Sequence, residues 1–245
     1  MKHAVASEWV KLTTLRSPKW SLVVYLGLMI ALAFVYATFP GESQLTAPGF
    51  DPVGLGLSAV PLGVIVLVVM GILAVTGEYA SGSIRTSLLA VPDRARFYYA
   101  KVGLVSLVSG VLAVVGVVPS FLIVQNGIGE HGAPAGAATA GHVMGAVLYT
   151  ALLVAFSMGV ATLLRSGAAT LSLLLPLFFM LSTILSNIPV VGEAARFLPD
   201  VAGGMVLRGS AGEGELGAWS GLGVLVLWTA GAVGAGHGAI VRRDA

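Results

Sequence analysis

Six stretches of this chain contain no Asp, Glu, Lys or Arg: residues 20–39, 53–75, 102–124, 143–164, 171–188 and 217–240. A helix needs about 20 apolar residues to cross a hydrocarbon core of about 30 Å. A charge at its centre costs about 2.5–3.5 kcal/mol on insertion scales. These stretches are therefore where a helix can cross. A soluble domain carries about 25% charged residues, whereas this chain carries 10% and is 57% hydrophobic. β-Barrel strands would alternate over about ten residues, and no such pattern is visible. The expected fold is all-α, a polytopic membrane protein with six transmembrane helices in a single domain, 1–245. Having no cysteine, the chain can form no disulfide, thiol nucleophile or cysteine-ligated metal site.

The basic residues fall unevenly between the windows. Lys2, Lys11, Arg16 and Lys19 precede the first. Arg85, Arg94, Arg96 and Lys101 lie between the second and third, Arg165 between the fourth and fifth, and Arg242 and Arg243 after the sixth. The opposite side holds only Arg196 and Arg208. By the positive-inside rule both termini and the 76–101 loop are cytoplasmic in a multi-pass protein of the plasma membrane. The sequence pI near 9.0 is then an orientation signal, and no nucleic-acid partner is expected. The first window is too long for a signal-peptide core and no A-x-A site follows, so it reads as an uncleaved span. Ahead of it, Val5, Trp9 and Leu12 repeat at helical spacing, with Lys2, Glu8 and Lys11 displaced from that line. Residues 1–19 are expected to form an interfacial helix with Trp9 in the headgroups, ended by Ser17-Pro18.

Enzymatic signatures are weak. Gly127-Ile128-Gly129-Glu130-His131-Gly132 matches G-x-G-x-x-G, but that motif needs a preceding strand and a following helix that opens on a phosphate. No G-x-x-x-x-G-K-[ST] phosphate loop occurs. Arg208-Gly209-Ser210-Ala211-Gly212 with His237 superficially matches a serine-protease pair, but Ser210 lies in a polar loop. The windows hold no ionised group for a proton relay. The chain is expected to perform no chemistry and to bind no cofactor or metal itself.

The charges gather instead in TGEYASGSIRTSLLAVPDRARFYYAK, residues 76–101. Gly77 is expected to end the second span and Ser81 or Ser83 to cap a short new helix. Ile84, Leu88 and Val91 then share one face at i, i+4, i+7, an exposed apolar edge closed by Pro92. Asp93 can cap the next turn. An apolar edge beside basic residues suits membrane lipid or a protein partner.

The opening Ser7-Glu8-Trp9-Val10-Lys11-Leu12 with Leu15-Arg16-Ser17, then Gly77-Glu78-Tyr79, Gly82-Ser83-Ile84-Arg85 and Ala90-Val91-Pro92, resemble the ABC-2-type transporter permeases, especially actinobacterial ones. Arg196-Phe197-Leu198-Pro199 with Ala202-Gly203 is similar to that family as well. The resemblance implies a membrane-spanning subunit of an ABC exporter, with ATP and Mg held by a separate ATP-binding subunit. It implies a second permease copy or a related permease across the pathway. The 76–101 loop would carry the coupling helix, with Ile84, Leu88 and Val91 as its docking face and Glu78 and Arg85 as polar ties. Residues 189–216 would form the outer loop. The substrate would be hydrophobic or amphipathic. The alternative is a non-transporting membrane partner of the same ATPase, acting as a signalling or mechanical transmission subunit.

Overall fold

The computed structural model describes residues 2–14, 16–84, 89, 93–186, 188, 191–210, 212 and 216–242. All regular structure among the described residues is helical. The N-terminal helix α1 (Lys2–Thr14) leads into α2 (Arg16–Thr38). Two short helices, α3 (Glu42–Leu45) and α4 (Pro52–Leu57), precede α5 (Val60–Ala80). The two longest are α6 (Arg94–Ile128) and α7 (Ala137–Leu164). Then come α8 (Gly167–Pro176), a π turn (Leu177–Leu181) and α9 (Ser182–Ser186). Short helices α10 (Gly192–Ala195) and α11 (Pro199–Gly204) lie before the last helix, α12 (Ala218–Arg242).

Five helical segments are long and apolar enough to cross a membrane: Ser17–Thr38, Pro52–Ala80, Arg94–His131, Ala137–Leu164 and Ala218–Arg242. Their outward faces are apolar, as at Val23, Val24 and Phe34 of α2 and Leu107, Val111 and Leu122 of α6. Such a surface is stable against lipid and costly in water. The sixth window is built differently. Pro176 has no N–H to donate, and the α-helix Gly167–Pro176 ends with it. The π turn follows at once, and the Ser182 hydroxyl, 2.9 Å from the Leu177 carbonyl, bonds across it. Gly167 lies against Thr76 near the end of α5, while Ser182 meets Asp200 of α11. The Gly167–Ser186 run therefore extends from one end of the bundle to the other.

Close packing depends on small residues where helices meet. A Cβ on Gly159 of α7 would stand 2.6 Å from the Ala232 carbonyl carbon of α12. One on Gly116 of α6 would strike the Tyr25 ring of α2 at the same distance. The core centres on Tyr25, Met29, Leu67, Ile72, Leu153, Met158 and Leu225.

Several ends differ from the sequence expectation. Helix α5 runs through Gly77 to Ala80, and the Ser81 hydroxyl donates back to the Gly77 carbonyl, while helical structure resumes at Ser83 and Ile84. Helix α2 already includes Ser17 and Pro18, because a proline is tolerated in a helix's first turn, so they do not end the N-terminal helix as expected. Helix α6 extends to Ile128, and a 3-10 turn (Gly129–His131) follows, so residues 127–132 are a helix end and not a phosphate-binding turn. Asp93 caps α6 as expected, accepting from the Arg96 amide at 3.0 Å.

Candidate functional site

Four charged residues from three helices converge on one point. Helix α1 packs on α6 and brings Glu8 and Lys11 to its inner face. Helix α5 ends with Glu78 there, and α6 brings Lys101 two turns in from its start. Lys101 Nζ donates to Glu8 Oε2 at 2.6 Å and to Glu78 Oε1 at 2.9 Å. Lys11 Nζ donates to Glu8 Oε1 at 2.8 Å and to Glu78 Oε1 at 2.5 Å. The four groups thus close a ring of alternating sign with no net charge.

Glu8 is 3% exposed, Lys101 4% and Glu78 8%. An unpaired charge at such burial would be strongly unfavourable, and alternation satisfies each member twice. The Phe97 ring lies 5.3 Å from Lys101 Nζ and 5.7 Å from Lys11 Nζ, adding a π face to both cations. Burial alone would lower the Lys11 ammonium, but its hydrogen bonds to Glu78 and Glu8 outweigh that and hold it above the usual lysine range. A cleft of about 520 Å³ opens beside the ring, lined mainly by apolar residues such as Leu12, Pro18, Met70, Leu73 and Val105.

A second set of contacts fastens α12 at the same end. Arg94 Nη1 donates to the Ile240 carbonyl at 3.2 Å, and Arg165 Nη2 to the Ala239 carbonyl at 3.3 Å. Both satisfy carbonyls in the last turn of α12, where a cation also suits the helix dipole. Arg165 adopts φ +53 at the end of α7 and lies 5.3 Å from the Tyr79 ring. The Tyr98 hydroxyl donates to the Val233 carbonyl at 3.1 Å, and His237 stacks on Tyr99 at 5.2 Å.

Of the residues read from the sequence, Glu78 is a tie, holding α5 to α1 and α6. Ile84 is 5% exposed and shares a crevice with Glu78, Tyr79, Phe97, Tyr98 and Ile240. Its side chain therefore belongs to the interior of this chain and not to an open apolar edge. Leu89 is the described apolar residue that stands out from the loop, at 82% exposure. Arg85, Leu88 and Val91 lie outside the described residues. Glu8, Lys11 and Lys101 belong to the site without having been singled out. Their signal was present, since Lys101 directly precedes an uncharged window and Glu78 closely follows one. Opposite charges at matching depth on consecutive spans can meet.

The ring offers paired charges without a nucleophile or an open coordination site. Among the described residues no group of three His, Cys, Asp or Glu could hold a metal ion. No family model and no curated protein matches the sequence.

Proposed function

We propose that this chain is the membrane-spanning permease subunit of an ATP-driven ABC exporter. It would have six spans, counting the proline-broken run 167–186, and both termini in the cytoplasm. At 1.5 Å per residue that run measures about 30 Å, enough to cross. ATP and Mg belong to a separate ATPase subunit, and a second permease copy or a related permease completes the pathway. The observation that carries this reading is the Glu8–Lys11–Glu78–Lys101 ring. It joins the N-terminal helix to the two spans that flank the 81–93 connection. A push on that connection would reach α1, α5 and α6 together, as rigid-body coupling requires. The substrate is amphipathic or hydrophobic, and residues 189–216 form the outer loop.

The docking face is Leu88 and Val91 with the neighbouring Leu89, while Ile84 anchors the loop from inside. Leu88→Asp should insert into membranes normally, because no span is touched, yet fail to retain the ATPase in a pull-down. Arg85→Ala should keep the ATPase and slow turnover. If Leu88→Asp retains the partner and ATP-driven transport at wild-type levels, the loop is not the coupling surface. An ATPase bound by wild type without any transport would instead favour the mechanical subunit.

A further inference from the structure

At the end of the bundle away from the charge ring, a second cleft of about 840 Å³ lies between α4, α7, the π turn and α11. That volume falls within the roughly 300–1,000 Å³ of small-molecule sites. One part of its wall is apolar: Leu55, Leu57, Pro61, Phe178, Val201 and Met205. The polar part is built around Asp200. Ser182 Oγ is 2.9 Å from both Asp200 Oδ1 and the Leu177 carbonyl, and its single hydrogen can serve only one of them at a time. Tyr149 lines the same cleft at 4% exposure, and its hydroxyl makes no hydrogen bond among the described residues. Asp51, across the cleft, is occupied: its carboxylate accepts from the Gly54 amide at 2.9 Å and the Gly209 amide at 2.7 Å. Arg208 lies at the exposed rim.

We infer that this cleft binds an amphipathic molecule whose polar end is a protonated amine. The amine meets the Asp200 carboxylate and the Tyr149 hydroxyl, and its apolar body lies along Phe178, Leu55 and Pro61. An ammonium is all donor. The Asp200 carboxylate meets Ser182 and the amides of Asp200 and Val201, and its four lone-pair sites leave room for one more donor, while the Tyr149 oxygen accepts as well. Burial raises the Asp200 carboxyl above the usual range, against the opposing pull of Ser182 and the amides of Asp200 and Val201. A carboxyl so placed gains from a cation that restores its charged form. A half-polar, half-apolar wall excludes neither end of an amphiphile. Occupancy of the cleft does not depend on whether the chain transports anything, so its test is separate from that of the ATPase.

The test is isothermal titration of the full-length protein in phosphatidylcholine nanodiscs, with empty nanodiscs as the blank. The probes are 4-phenylbutylamine, 4-phenylbutanol and 4-phenylbutyrate, which share a body and differ in the head. Wild type should bind the amine at least about ten-fold more tightly than the other two, a charge-assisted preference. Asp200→Asn, an isosteric change, should abolish that preference. Tyr149→Phe removes only the hydroxyl and should weaken the amine several-fold at an unchanged melting temperature. Equal binding of amine and alcohol to wild type, or no binding of any probe, overturns the proposal. So does a folded Asp200→Asn that keeps the preference. Should that variant fail to fold, the head-group series and Tyr149→Phe decide the matter.

Discussion

Lys101 illustrates how one residue can carry two meanings. As a letter in the sequence it is one more cytoplasmic cation in a topology count. In the fold it is 4% exposed and holds both Glu8 and Glu78. Lys101→Met would leave two buried carboxylates sharing Lys11 alone. Stranding a buried charge costs about 3–5 kcal/mol, so the thermal midpoint of the purified protein should fall markedly. Adding Glu8→Gln restores neutrality and leaves the Lys11–Glu78 pair, so the double variant should recover part of the loss. A double-mutant cycle with no coupling would show that the ring is not energetically connected. Glu78 was named as a polar tie on the resemblance, and its place just past an uncharged window agrees with the contacts it makes. Glu8 was not, since Trp9, one residue on, drew the reading of the apolar face. Trp9 in fact points outward, half exposed, and Glu8 and Leu12 face in.

At the scale of elements, five of the six uncharged windows lie in long helical segments, although Pro119 stands inside α6 and a turn at Ser58 and Ala59 separates α4 from α5. The sixth contains Pro176, and its helix carries a π turn there. Pattern reading located the window, but a proline alone does not foretell its form, since α6 runs through Pro119 without a π turn. Glycines at four-residue spacing in α12, such as Gly234 and Gly238, are less informative than the windows. Gly221 packs against the Ala202 backbone, yet added Cβ atoms at Gly234 and Gly238 would meet nothing within 4 Å. Spacing places two residues on a face without saying whether that face meets a helix or lipid. Gly159, by contrast, stands at the contact between α7 and α12. Gly159→Leu should force these backbones apart and cost about 1–3 kcal/mol, as overpacking does. Gly234→Leu, facing open space, should cost little. The two melting curves measured side by side test the contact, and equal losses would contradict it.

For the whole molecule, the structure defines two ends, and the sequence supplies an expectation for which side each faces. One end holds the charge ring, the last turn of α12 and the start of α8. The other holds Asp51, Gly209 and Asp200, with Gly209 donating to Asp51 and Ser182 to Asp200. Eleven of the thirteen Lys and Arg residues belong to the first end or its flanking segments, and Arg196 and Arg208 to the second. By the positive-inside rule that imbalance predicts an orientation, the one we propose, with the ring on the cytoplasmic side and the Asp200 cleft outside. Because the native chain has no cysteine, single cysteines report without background. Cysteines replacing Ser43 and Ser210, both exposed, and Thr139 should react with an impermeant thiol reagent in intact cells. Those replacing Ser7, Ser83 and Ser166 should react only after lysis. The Ser166 and Ser210 pair also tests the proline-broken run, because the two sites fall on opposite sides only if residues 167–186 cross. Labelling of both from the same side would make that run re-entrant and reduce the chain to five spans. Labelling of Ser83→Cys from outside would invert the molecule. The 81–93 connection would then face away from any cytoplasmic ATPase, and the coupling proposal would fall with the topology.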